Sequence, residues 1–119
     1  MCRFVAYSGS ETVAPEGLIL NAEHSLVCQS KVSKEGIHEV NGDGFGIAWY
    51  NHINQAGMYT TARPAWSDHN LCYLLRDIQT KSFLAHIRAS TLGSVSSENC
   101  HPFKFDNFTF VHNGSIRGF

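Results

Sequence analysis

Cys2 stands directly after the initiator Met1, and an initiator methionine is normally removed when the next residue is as small as cysteine. Removal would leave a cysteine carrying its own free α-amine. Such an amine titrates near about 7.7–8.0, close to where a general base works best at neutral pH, and it reaches its own sulfur directly or through one water. One residue would then supply nucleophile and base, with no distant histidine needed to activate the thiol. The competing explanation is a chance cysteine in a loose terminus, and the dipeptide alone does not separate the two.

Two further stretches carry groups that such a nucleophile would use. In His86-Ile87-Arg88-Ala89-Ser90-Thr91-Leu92-Gly93 a strand-like start runs into a loop, and strand alternation puts His86 and Arg88 on one face. A guanidinium at a strand end suits a bidentate grip on a carboxylate, such as the α-carboxylate of an amino acid, and Thr91 offers a neighbouring hydroxyl or backbone contact. An ordinary surface arginine would read the same way in isolation. In Phe110-Val111-His112-Asn113-Gly114-Ser115, a strand ends on an amide side chain and a glycine. The Asn113 side-chain N–H and the Gly114 backbone N–H would form a two-donor oxyanion hole, in which losing one donor typically costs about 2.7–4 kcal/mol of transition-state stabilisation. Asn-Gly is equally the strongest short signal for a tight hairpin turn.

These groups need a frame. Arg3 to Tyr7 is short, aromatic and β-branched, and Ser8-Gly9-Ser10 reads as the turn that ends it, so a strand starts almost at the first residue and is expected to bury the N-terminus in a sheet. After Pro15, Leu18, Ile19, Ala22 and Leu26 fall at helix-like offsets, which predicts a short helix. The turn-rich Asn41-Gly42-Asp43-Gly44 leads into the apolar Phe45 to Tyr50, and Gly57 to Thr61 follows as its hairpin or meander partner. Ser67 or Asp68 can cap a helix whose Leu71, Leu74, Leu75 and Ile78 form one stripe at i, i+3, i+4 and i+7. Phe83 to Arg88 and Phe108 to His112 are strand candidates, separated by a polar loop with Asn99-Cys100-His101-Pro102-Phe103. The order is strands with inserted helices, an α+β pattern.

At 119 residues the chain offers one domain at most, and 43% hydrophobic content supplies a core and excludes disorder as the main state. Nine Lys and Arg against ten Asp and Glu give a net charge of -1 without a basic cluster, which argues against nucleic-acid binding by bulk charge and against an anionic membrane. No apolar run approaches the roughly 20 residues of a membrane span, and no signal-peptide core is visible, so the expected address is the cytoplasm. There the four cysteines are expected as thiols. A zinc site from His86, Cys100, His101 and His112 is disfavoured by spacing, so no metal is expected.

Met1-Cys2-Arg3, Asn41 to Tyr50, His86-Ile87-Arg88 with Thr91 and Gly93, Asn99-Cys100-His101-Pro102-Phe103 and His112-Asn113-Gly114 occur in the order seen in class II glutamine amidotransferases. The chain resembles the small stand-alone branch of that family of N-terminal nucleophile hydrolases. The resemblance implies an αββα sandwich with mainly antiparallel sheets, and hydrolysis of the γ-amide of glutamine or another γ-glutamyl compound through a thioester on Cys2. It assigns the substrate α-carboxylate to Arg88, a neighbouring substrate contact to Thr91, and the oxyanion hole to Asn113 and Gly114. It implies no cofactor, and no partner beyond a small γ-glutamyl substrate. His86, His101 and His112 are expected as framework residues that hydrogen-bond locally, and Asp43 with its glycines as a turn near the nucleophile. Synthase-linked relatives carry tryptophan where Ala89 stands and histidine where Leu92 stands, so the pocket shape is expected to differ. Residues 1–119 resemble only the N-terminal part of such a domain, with no counterpart to the acidic residue that holds the substrate amino group. A truncated sandwich leaves a sheet face uncovered, so a catalytically silent fragment that self-associates or takes up a complementing chain is the alternative.

Overall fold

The computed structural model describes residues 2–32, 42–89 and 95–118. Its elements run β1 (Arg3–Val13), a π-helical turn (Gly17–Asn21), α1 (Leu26–Val32), β2 (Phe45–Tyr50), β3 (Ala56–Thr61), α2 (His69–Asp77), β4 (Thr80–Ile87), β5 (Phe103–Phe105) and β6 (Phe108–Phe110). β1 to β4 form one antiparallel sheet in the order β1-β4-β2-β3, and β5 and β6 pair as a separate antiparallel hairpin. The mixed α/β architecture with antiparallel sheets agrees with the expected class. Among the described residues, no helix is long and apolar enough to cross a membrane.

Local chemistry explains most boundaries. Asp68 has an extended backbone and accepts the Asn70 N–H at 3.1 Å, so it is the N-cap of α2. Its carboxylate also accepts the Tyr59 hydroxyl, which ties β3 to α2 and raises the phenol's pKa through that hydrogen bond, burial and the nearby negative charge. The β2–β3 turn is held by Asn51 Oδ1, which accepts the N–H groups of Ile53 and Gln55 at 3.0 Å each, with Asn54 in the left-handed region at φ 57°.

Several expectations about element boundaries are corrected. β1 does not stop at Ser8-Gly9-Ser10 but continues to Val13, with a break in register after Ser8. It is an edge strand and mostly exposed, so the N-terminus is not buried in a sheet interior. An edge strand pairs on one side only and tolerates an irregular stretch with glycine. The Asn99–Phe103 segment is not wholly loop, since Phe103–Phe105 pairs with Phe108–Phe110, which is itself shorter than the expected strand to His112. The helix expected after Pro15 resolves into the π-helical turn and α1.

Side chains of alternate residues divide the sheet. Phe45 and Ile47 of β2 and Phe83, Ala85 and Ile87 of β4 are at most 1% exposed and join Ile19, Leu26, Leu71 and Leu75 of the helical segments in the core. A fully buried side chain of this size contributes about 1.5–3 kcal/mol. The intervening residues of the same strands face the other way, toward the segment around residues 100–113, and there the candidate site lies.

Candidate active site

Register brings the site together. Arg3 pairs with Ile87 and Phe4 with His86, so one step further along the antiparallel pair Cys2 lies opposite Arg88. Cys2, His86 and Arg88 therefore share the face that the helices do not cover. The Cys2 sulfur accepts the Ala89 N–H at 3.3 Å and lies 3.4 Å from the Ala89 carbonyl, toward which its S–H points. Backbone groups at the end of β4 thus hold the thiol.

β2 supports the same corner. Gly46 pairs with His86, and the Arg88 N–H donates to the Gly44 carbonyl at 2.9 Å while Asp43 N–H donates to the Arg88 carbonyl at 3.2 Å. This places Asp43 in the bend beside Arg88, the strand neighbour of Cys2. The two glycines have separate reasons to be glycine. A Cβ on Gly44, whose φ is +140°, would sit 2.4 Å from Cys100 Sγ, and one on Gly46 would sit 2.0 Å from the His101 carbonyl oxygen. The buried Cys100, whose thiol pKa is raised by burial, and His101 are thereby packed directly against the sheet. Arg88 itself is only 9% exposed.

The third wall is the segment after β6. Asn113 Nδ2 donates to the Cys2 carbonyl at 3.1 Å, and Asn113 Oδ1 lies 3.2 Å from His86 Nε2. Gly114 follows at φ +93°, with open space where a Cβ would stand, so backbone conformation rather than crowding demands glycine there. His101 stacks between two other imidazoles, its ring centre 4.6 Å from that of His86 and 4.7 Å from that of His112, and it accepts the His112 N–H on Nδ1 at 3.4 Å. Burial, then the neighbouring histidines, lowers the pKa of His86 to about 4 and pushes that of His101 down as well. His86 is neutral at pH 7, and burial likewise favours the neutral form of His101.

A cleft of about 210 Å³ opens among these walls, lined by Cys2, Arg88, Ala89, His112, Gly114 and Ser115 among others. Of the sequence-predicted site residues, Cys2, Arg88 and Gly114 line it, Asn113 bridges Cys2 and His86, and Thr91 lies outside the described residues. Sequence reasoning missed the Ala89 backbone as a cradle for the sulfur, for which no side-chain signal exists. His86, expected to hydrogen-bond locally, does so with Asn113, on the face that strand alternation from Arg88 already set.

A cysteine at position 2 thus stands beside a buried arginine and the Asn113-Gly114 segment on the open face of an antiparallel sheet. Residues 17–119 match the family described as glutamine amidotransferases class-II, and the chain belongs to it. It is 35% identical to a probable glutamine amidotransferase, DUG3, of Saccharomyces cerevisiae over all of this chain and 36% of that protein. It is 25% identical to a γ-glutamyl-hercynylcysteine sulfoxide hydrolase of Mycolicibacterium smegmatis over 98% of this chain and 52% of that one. The structure of a glutamine aminotransferase class-II domain protein from Silicibacter pomeroyi superposes with a TM-score of 0.62 at 28% identity, covering 95% of this chain and 37% of that chain. The chain thus spans between about a third and a half of the length of these relatives.

Proposed function

We propose that this chain carries the nucleophile half of an amidotransferase site that hydrolyses the γ-amide of glutamine or of another γ-glutamyl compound. With Met1 removed, the Cys2 α-amine takes the thiol proton and the thiolate attacks the amide carbon. Asn113 Nδ2, which gives one N–H to the Cys2 carbonyl and has a second to offer, and the Gly114 N–H stabilise the tetrahedral oxyanion. Collapse passes the proton to the leaving nitrogen and expels ammonia or an amine. Water, deprotonated by the same amine, then cleaves the thioester and releases the γ-glutamyl acid. Arg88 clamps the substrate α-carboxylate, and Thr91 adds a contact beside it. This chemistry requires a reduced thiol, in keeping with the four cysteines, all of them free.

The observation that carries the reading is the convergence of Cys2, Arg88 and Gly114 on one small cleft with Asn113 hydrogen-bonded to the nucleophile's own residue. The Mycolicibacterium relative, named for a γ-glutamyl sulfoxide substrate, supports γ-glutamyl compounds beyond glutamine. Cys2→Ala is expected to abolish glutamate release from γ-glutamyl amides, a loss on the order of 10⁴-fold or more, without lowering Tm. Intact mass must show the loss of Met1. Retained hydrolysis in that variant, or an active protein that keeps its initiator, would overturn the mechanism.

A second reading rests on the β5–β6 hairpin, where Phe105 and Phe108 are 84% and 75% exposed. That apolar face favours a chain which is silent alone and acts only after association with another copy or a complementing chain. Activity measured across a size-exclusion profile separates the readings: an active monomer excludes the second.

A further inference from the structure

His86 is a costly residue for its place. It lies on β4 between β1 and β2, 2% exposed, and its Nδ1 is buried with no hydrogen-bond partner among the described residues. An unpaired buried polar atom is unfavourable, so a role in packing alone would be filled better by an apolar ring. The polar atom that does find a partner is Nε2, and that partner is the Asn113 side chain.

Asn113 has the opposite character: it is exposed and sits in irregular chain beyond β6. The two ends of its amide have nearly the same shape and opposite hydrogen-bonding character. With Nδ2 toward Cys2 it donates; flipped, it would set a carbonyl oxygen against the Cys2 carbonyl and offer nothing to an oxyanion. Something must fix the choice.

We infer that His86 is a positioning residue: holding its single ring proton on Nε2, it donates to Asn113 Oδ1 and so fixes the amide with its N–H₂ end toward Cys2. The inference rests on the proposed function for its catalytic consequence, since only there does Asn113 serve as an oxyanion donor. The rest is geometry. A proton on Nδ1 instead would be a buried donor without an acceptor, and Nε2 would then face Oδ1 as one lone pair against another. A second proton is opposed first by burial, then by His101 before β5, His112 after β6 and Arg88 just past β4, with the Asn113 hydrogen bond acting the other way. The neutral Nε2–H form is the one in which the strand can anchor the loop.

The test compares His86→Gln with His86→Phe in the full chain. Glutamine puts an amide N–H near the place of Nε2, whereas phenylalanine keeps the ring volume and removes the donor. His86→Phe is expected to lower kcat about 10- to 100-fold, part of the usual effect of an oxyanion-hole donor, with KM changed less than about twofold. His86→Gln should recover most of that loss. In an Asn113→Ala background His86→Phe should cost nothing further, because its effect passes through the amide. Equal losses in both variants, or a full additional loss without Asn113, would overturn the inference. A readout independent of activity uses the Cys2→Ala protein: nitrogen NMR of His86 should show the proton on Nε2, and the Asn113 side-chain amide signals should move in His86→Phe. An Nδ1–H tautomer or unmoved amide signals would refute the inference even if the protein hydrolysed nothing, whereas absent hydrolysis with the expected NMR pattern would refute only the proposed reaction.

Discussion

The two faces of the four-stranded sheet are built from the same strands, offset by one residue, and they differ in almost every physical respect. On β4, Phe83, Ala85 and Ile87 point into a dry core against the helices, each at most 1% exposed. His86 and Arg88, between and beyond them, are nearly as buried yet lie among imidazoles, a thiol and backbone polar groups. Around them the cover is partial, with Phe4 and Met58 about half exposed. Since a slip of one residue would exchange the faces, the register of β1 on β4 is held by the apolar side, and the polar side takes its geometry from it. The helical face contributes stability, and the opposite face spends some of it on keeping polar groups in place.

Removing a core ring should give the largest effect on stability. Phe83→Ala is expected to cost about 3–5 kcal/mol, read by chemical denaturation, because both the transfer energy and the cavity count. A cost under 1 kcal/mol would mean that this face is not the core. Acid should act on the other face. His86 binds a proton less readily folded, with a pKa of about 4, than unfolded, near about 6.5. Between those values the unfolded chain holds more protons, so the stability of the native state falls as pH drops from about 6.5 toward 4, by on the order of 2 kcal/mol. The burial that lowers His101 acts in the same direction. His86→Gln lacks the first contribution, so the difference between its pH–stability curve and that of the parent isolates it, and parallel curves would show that His86 is not buried as described.

The sequence was legible where structure is local. Ser67 or Asp68 was recognisable as a cap, which the structure assigns to Asp68, the Leu71–Ile78 stripe as a helix face, and the alternation around His86 and Arg88 as a shared side, because each depends on residues a few positions apart. β5 escaped because three residues beside Pro102 fall below the length at which alternation can be read. The extension of β1 escaped because Ser8-Gly9-Ser10 carries turn chemistry, and only pairing with β4 on one side overrides it. Within the site, Cys2, Arg88, Asn113 and Gly114 could be nominated from residue type, and the structure brings them to one corner. The link from His86 to Asn113 could not be read, since it spans 27 residues and a loop. Nor could the reason for Gly44, read in a turn, and Gly46, read in a strand, which make room for Cys100 and the His101 backbone.

The smallest effect is expected where the polar face meets solvent. In the β5–β6 hairpin Phe103 lies opposite Phe110 and Phe105 opposite Phe108, so four aromatic rings share one side while Lys104 and Thr109 share the other. Thr109 and the Asn107 carbonyl meet the Tyr50 hydroxyl on one side; on the other, Phe103 packs 4.4 Å from His101 at the cleft while Phe105 and Phe108 stand open. A side chain as open as Phe105 has little burial to lose, and Phe105→Ser should change stability by less than about 0.5 kcal/mol in dilute protein. If denaturation instead shows a loss above 1 kcal/mol, and the loss grows with protein concentration, these rings are covered in solution by another chain. The sheet would then have a second apolar layer outside the site, and the contrast between a core face and a chemical face would hold only for the isolated chain.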